Sequence, residues 1–213
     1  MTSKTIAIQG NYPKKLNPFS DTSIFLANEA HNKKYKIFYY EPKDLSIIDN
    51  EVIAKGFFIE FNYSNKKFFK ILKLQTLNLL NCRFILIRQD PPFNLEYIST
   101  TYILDKIKDK VKIINNPTSI RNISEKLYSV SFQRFMPKTI FTRDIKEIKN
   151  FYKKNKKMVI KPIHGFGGND IHLIQGLFKN RLIINFIKKH GHIMCQRFLP
   201  NIKNGDKRVF LIN

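Results

Sequence analysis

The 213-residue sequence has no tryptophan, only two cysteines, 16 acidic residues and no long apolar run. Each shortage excludes something. Cys82 and Cys195 lie far apart and form no CxxC pair, so neither a disulfide framework nor a cysteine-built zinc site is indicated. Their apolar flanks make buried structural thiols the expectation. The apolar runs fall far short of the roughly 20 residues a membrane helix needs, and the run behind Met1-Thr2-Ser3-Lys4 is too short for a signal peptide. A soluble, cytoplasmic protein without a membrane partner is expected.

The deficit of acid leaves 38 lysines and arginines and a formal net charge of +22. Such a balance is one signature of nucleic-acid binders. Here, however, the cations are spread along the whole chain among abundant Ile, Asn and Phe, the pattern an A/T-rich coding sequence produces. No Arg-rich tract, ribonucleoprotein motif or Cys-His finger stands out. No nucleic-acid partner is therefore expected, although the charge can gather anionic substrates such as nucleotides. His164, His172, His190 and His192 lack acidic companions at ligand spacing, so no metal ligands are assigned within the chain. A hydrophobic content of 43% over this length supports one large or two small domains with real cores.

Thr5 to Gln9 reads as a buried strand, a helix starts at Ser20 to Ser23 with Ile24, Ala27 and Ala30 as its apolar stripe, and Tyr35 to Tyr40 is the next strand. This β-α-β opening predicts a parallel sheet. Asp49-Asn50 between two apolar runs predicts a hairpin. Phe68 to Leu80 fits neither period, and Arg83 to Arg88 is a central strand. Asn94 is placed to cap a helix to about Lys110 with Leu95, Ile98, Tyr102 and Ile103 inward, before a strand over Val111 to Asn115. Thr118 or Ser119 opens a helix to about Arg134. A strand over Thr139 to Phe141, a lysine-rich helix capped by Thr142, strands at Met158 to Lys161 and Ile171 to Ile174, and a helix over Asn180 to His190 follow. Strands over Ile193 to Gln196 and Asp206 to Ile212 close the chain.

Two stretches carry chemistry. Met158-Val159-Ile160-Lys161-Pro162 delivers a lysine from an apolar strand into Ile163-His164-Gly165-Phe166-Gly167-Gly168-Asn169. Pro162 keeps Lys161 extended, and the glycines let consecutive amides point at one spot, which suits a phosphate. A Walker A loop has its lysine after the glycines, and the dinucleotide fingerprint needs a glycine where Asp170 stands, so neither fits. The bland alternative is a surface turn with an incidental lysine. In Arg88-Gln89-Asp90-Pro91-Pro92-Phe93, two charges sit at the C-terminal end of a buried strand, where open α/β sheets bind ligands. The alternative there is an ion pair that only shapes the turn.

Together with Asn115-Asn116-Pro117, Ser124-Glu125-Lys126-Leu127, Gln196-Arg197-Phe198-Leu199-Pro200 and Gly205-Asp206-Lys207-Arg208-Val209, these stretches resemble the bacterial type of glutathione synthetase, within the ATP-grasp ligases. The resemblance runs from the first strand to the last residue. It implies an α/β protein with a Rossmann-like (pre-ATP-grasp) parallel-sheet domain over residues 1–117, followed by an incomplete ATP-grasp α+β domain over residues 118–213. By the same resemblance, Lys126 and Lys161 contact ATP phosphates, with Lys161 also near the adenine, and Gly165, Gly167 and Gly168 cover the phosphates. Gln196, Arg197, Phe198 and Leu199 form the adenine hinge, Asp206 faces the ribose, and Arg208 is the catalytic phosphate- or acylphosphate-binding arginine. Arg88 and Asp90 face the peptide substrate, which displaces the ion-pair reading.

The implied reaction joins γ-glutamylcysteine to glycine at the expense of ATP through an acylphosphate, in a homotetramer. The implied Mg²⁺ ligands and a second glycine-rich lid would fall beyond residue 213. On that basis the chain is expected to be a fragment that does not catalyse the reaction alone. Another ATP-grasp carboxylate-amine ligase, a nucleotide-binding remnant and a basic nucleic-acid module are the alternatives.

Overall fold

The computed structural model describes residues 4–62, 67–207 and 209. Its contacts divide into two compact units, residues 1–123 and 124–213. The first contains β1 (Thr5–Gln9), α1 (Thr22–Asn32), β2 (Lys36–Tyr40), β3 (Leu45–Ile48), β4 (Glu51–Phe61), β5 (Phe69–Asn78), β6 (Phe84–Ile87), α2 (Leu95–Asp105), β7 (Lys112–Ile114) and α3 (Pro117–Asn122). As the β-α-β opening predicts, β1 pairs parallel with β2 on one side and β6 on the other, and β6 pairs parallel with β7.

The sheet is not parallel throughout. Asp49 and Asn50 take φ of 50° and 64°, the left-handed pair of a tight hairpin turn. This turn folds β3 back onto β4, which also runs antiparallel to β2 on that edge and to β5 on the other. The ambiguous stretch from Phe68 becomes the largely exposed strand β5, whose lack of a buried stripe left no period to read. Gly56 sits where β4 changes partner from β3 to β2. A Cβ there would lie well inside contact distance of the Tyr39 carbonyl oxygen and 2.9 Å from Phe38 Cζ, so only glycine lets the strands close.

Alternation along the strands sends side chains to two cores. Phe38, Tyr40, Ala54 and Ile85 pack with Leu104 of α2 on one face. Ile8, Ile37, Tyr39 and Ile59 pack with Ile24 and Ala27 of α1 on the other. Helix α2 differs from expectation: it ends at Asp105, and Leu95 and Tyr102 are exposed while Thr100, Thr101 and Leu104 are buried. The threonines can go inside because their hydroxyls donate to the Tyr97 and Ile98 carbonyls at 2.8 and 2.6 Å.

The helix expected from Thr118 or Ser119 to Arg134 is also shorter. Asn116 caps it, accepting from Ser119 N at 3.1 Å, and it stops at Asn122; a 3-10 segment, Tyr128–Phe135, follows. Helix α3 is tied to α2 by Arg121, which donates to Asp105 and, at 3.2 Å, to Thr101, and by Thr118, which donates to Asp105 at 2.9 Å. Ile123 then leaves helical geometry at the junction of the two units.

Burial would raise the Asp105 pKa, but hydrogen bonds from Arg121 and Thr118 and the charge of Arg121 outweigh it and hold the carboxyl below its ordinary value. Because the folded pKa lies below the unfolded one, this stabilisation is present at neutral pH and is lost as pH falls below about 4. Asp105→Asn is expected to lower the thermal midpoint at pH 7 and flatten its decline in acid. An unchanged acid limb would contradict the assignment.

The second unit contains β8 (Thr139–Thr142), α4 (Ile145–Asn155), β9 (Lys157–Pro162), β10 (His172–Gln175), α5 (Asn180–His190) and β11 (Ile193–Arg197). The strands form an antiparallel sheet in the order β10-β9-β11-β8. Asp144, not Thr142, caps α4, accepting from Lys146 N at 2.7 Å; Thr142 instead accepts from Asp144 N at 2.9 Å.

Ile148, Phe151, Ile183 and Phe186 from the helices bury one face of this sheet against Met158, Ile160, Ile174, Ile193 and Cys195. Cys82 and Cys195 are both buried free thiols, pushed up to about 12 by that burial, as structural cysteines should be. The strand expected from Asp206 falls largely on residues outside those described, including Arg208; Asp206 and Lys207 are exposed and not in a strand. Among the described residues no helix is long and apolar enough to cross a membrane.

Candidate functional site

Strand β9 turns Met158 and Ile160 toward the helices, so Val159 and Lys161 point to the opposite face of the second sheet. The strand register puts Lys161 opposite Met194, and Gln196 between Val159 and Thr139. Lys161 Nζ donates to Gln196 Oε1 at 3.1 Å, and Gln196 Nε2 donates to Thr139 Oγ1 at 2.9 Å. The cation is thus held by neutral groups. Lys126, in the turn before the 3-10 segment, reaches the glycine loop and donates from Nζ to the Gly165 carbonyl at 2.5 Å and the Ile163 carbonyl at 3.4 Å.

Burial, and then the charge of Lys126, push the Lys161 pKa below its ordinary value. Two like charges share this partly buried face, and among the described residues neither forms an ion pair with a carboxylate. An anion placed between them would relieve both repulsion and desolvation.

The glycine loop returns from β9 to β10 through Gly167 and Gly168 at φ of 59° and 75°, which side chains other than glycine rarely adopt. Asn169 N donates to the Phe166 carbonyl at 3.1 Å within the loop, and Gly165 N donates to the Pro162 carbonyl at 3.5 Å where it begins. At the end of β11, Arg197 N and Phe198 N donate to the carbonyls of Lys138 and Lys157 at 2.9 and 3.2 Å. Lys157 Nζ lies 4.2 Å from the Phe198 ring centroid, a cation–π contact. Lys126 therefore bonds Gly165 and Lys161 bonds Gln196, and the two pairs are linked by the charge that Lys126 exerts on Lys161. Leu199 and Asp206 are exposed on the chain that follows, and Arg208 lies outside the described residues.

Arg88 and Asp90 belong to the first unit, at the C-terminal end of β6. Among the described residues they are not paired with each other: Arg88 Nε donates to Ser23 Oγ at 3.2 Å, and Asp90 accepts from Asn11 Nδ2 at 2.6 Å. A turn-shaping ion pair is thereby corrected. Asp90 lines a cavity of about 340 Å³ together with Asn11, Lys15, Glu41, Gln89 and Tyr97. Underneath, buried Gln9 donates to buried Gln89, fixing the segment between the two charges.

Sequence reasoning missed Asn11, whose carbonyl also accepts from Tyr39 at 2.7 Å. Its place beside Gly10, where β1 ends, was the available signal. The histidines were read as lacking acidic companions; in space, Asp170 stands beside both His172 and His190, although no group among the described residues is arranged to hold a metal.

Residues 5–121 match the model of the prokaryotic glutathione synthetase N-terminal domain, and residues 125–213 match that of its ATP-grasp domain. The chain is 36% identical over 203 residues to a glutathione synthetase of Buchnera aphidicola subsp. Baizongia pistaciae, covering 93% of this chain and 63% of that protein. It is 34% identical over 202 residues to the glutathione synthetase of Escherichia coli O6:H1, covering 93% and 64%. It therefore spans less than two thirds of the length of these relatives. Among solved structures, a RimK domain protein ATP-grasp from Sphaerobacter thermophilus superposes with a TM-score of 0.58 at 11% identity, over 92% of this chain and 64% of that one, a likeness of fold. The chain belongs to the prokaryotic glutathione synthetase family.

Proposed function

We propose that this chain provides the ATP-binding and peptide-binding parts of a glutathione synthetase, which ligates γ-glutamylcysteine to glycine with ATP. The observation that carries this reading is the pair Lys126 and Lys161, two cations without carboxylate partners among the described residues, meeting at a glycine loop. A carboxylate is a poor electrophile because its charge is delocalised. In the proposed reaction, a cysteinyl carboxylate oxygen bonds to the γ-phosphorus as the bond to the ADP oxygen breaks, giving an acylphosphate. The glycine amine then attacks the acyl carbon, phosphate leaves with the bonding pair, and the amine loses a proton.

Lys126 and Lys161 would stabilise charge on the transferring phosphoryl group, with Gly165, Gly167 and Gly168 closing over it and excluding water from the anhydride. Gln196 to Leu199 would present the adenine edge, Asp206 would face the ribose, and Arg208 would hold the phosphoryl or acylphosphate oxygens. Arg88 and Asp90 would receive the peptide's charged groups, with the Asn11 to Asp90 bond orienting the carboxylate. Magnesium, the ion such phosphoryl transfers use, requires several oxygen ligands. The described residues offer no such group, so they do not fit the ion and no step here runs through it.

Calorimetric titration of the chain with ATP, and separately with γ-glutamylcysteine and a panel of other dipeptides, tests the reading. Binding of ATP and preference for γ-glutamylcysteine, lost in Asp90→Asn, are expected. Preference for another dipeptide would move the chain to a different ligase specificity.

A further inference from the structure

The nucleotide reading accounts for one end of the glycine loop, where Lys126 holds the Gly165 carbonyl. At the other end Asp170 takes φ of 55°, a left-handed posture that Asp and Asn tolerate better than most residues. Its Oδ2 accepts from Lys189 Nζ at 2.5 Å and lies 3.0 Å from His190 Nε2, both in the last turn of α5. Its Oδ1 lies 3.9 Å from His172 Nε2 on β10. The His190 and His172 rings pack on buried Phe186, at centroid distances of 4.5 and 5.4 Å. The carboxylate is therefore docked beside two histidines that pack on the core and is held by an exposed lysine at the helix end. The hydrogen bond from Lys189, and further contributions from the charges of Lys189 and His190, hold its pKa below the ordinary value despite the opposing effect of desolvation. Between the two anchors the chain keeps the turn bond from Asn169 N to the Phe166 carbonyl, and open space surrounds Gly168, where nothing lies within 4 Å of where a Cβ would stand.

We infer that Asp170, with Lys189 and His190, forms a clasp that anchors the far end of the glycine loop to helix α5 and sets how readily the loop closes over a phosphate. Asp170 is on this account a positioning residue, since it acts through the loop amides. The logic is entropic. A loop free at one end must be ordered when the ligand binds, whereas a loop held at both ends has only its middle left to order. The purpose of the clasp rests on the nucleotide reading, but its existence does not.

The experiment is hydrogen exchange at residues 166–169 in the unliganded chain, paired with calorimetric ATP affinity. Asp170→Asn preserves shape and tolerance of positive φ while removing the charge. It is expected to speed loop exchange about tenfold with β9 and α5 unchanged, and to weaken ATP binding about three- to tenfold. Lys189→Gln, at an exposed helix end, should shift both in the same direction by less and guards against a folding defect in the first variant. Raising salt should speed loop exchange in the parent but not in Asp170→Asn, because the exposed pairs are screened; a merely structural carboxylate would show no such difference. Unchanged loop exchange in both variants, or faster exchange across the whole unit, would overturn the clasp. Failure of the parent to bind ATP would overturn the nucleotide reading, and the exchange result would still decide the clasp.

Discussion

Replacing Lys161 with methionine is expected to weaken ATP binding while making the unliganded chain more stable. A hydrogen bond to a charged group contributes about 1.5–3 kcal/mol, which corresponds to roughly ten- to a hundredfold in affinity. The stability change has the opposite sign for a physical reason. Burial and the charge of Lys126 both lower the Lys161 pKa in the folded chain. A lysine whose folded pKa lies below its unfolded one opposes folding while it is charged, and stability recovers only as pH rises between the two values. Methionine keeps the aliphatic stem and removes the charge, so the thermal midpoint should rise at pH 7 and the gain should shrink in alkali. A residue serving only structure would lose stability on the same substitution. Loss of stability in Lys161→Met together with unchanged ATP affinity would therefore remove the lysine from the site.

Gly56→Val is expected to have the largest effect on folding. Its Cβ would be driven into the Tyr39 carbonyl and against Phe38, where β4 pairs with β2 and the clashing atom is backbone that cannot rotate away. Overpacking of this kind costs about 3 kcal/mol or more, whereas Lys55→Ala next door, at an exposed position, should stay within about 0.5 kcal/mol. Urea midpoints of the two variants measure the difference. The consequence reaches the candidate peptide site through named bonds, since Tyr39 donates to the Asn11 carbonyl and Asn11 donates to Asp90. Gly56→Val protein that remains folded should bind γ-glutamylcysteine more weakly. Equal midpoints for the two variants would show that the strand crossing at Gly56 is looser than the structure has it.

What could be read from the sequence was what local chemistry dictates. The strand at Thr5, the hairpin at Asp49-Asn50, the Asn94 cap and the lysine entering the glycine loop each follow from residues a few positions apart, and each is present. What could not be read depends on partners distant in sequence. Phe69 to Asn78 is a strand because β4 offers it an edge. The helix opened by Pro117 stops at Asn122, and what holds it is Asp105 on another helix. Buried threonines turned α2 by a face because their hydroxyls found carbonyls in their own helix.

The same division holds at the site. Lys161 and the glycines stood out by spacing, whereas Gln196 as the lysine's partner and Asp170 as the loop's second anchor required the register of β9 with β11 and the docking of α5. Arg88 and Asp90 were legible as charges at a strand end. That they point to separate partners was not.

The most direct test is a crystal structure of the chain with a non-hydrolysable ATP analogue. The account predicts the triphosphate on the face of the second sheet opposite α4 and α5, with a phosphate oxygen within hydrogen-bond distance of Lys161 Nζ, Lys126 turned toward the phosphates, and the amides of Gly167 and Gly168 facing them. A triphosphate seated beyond the reach of both lysines would contradict it.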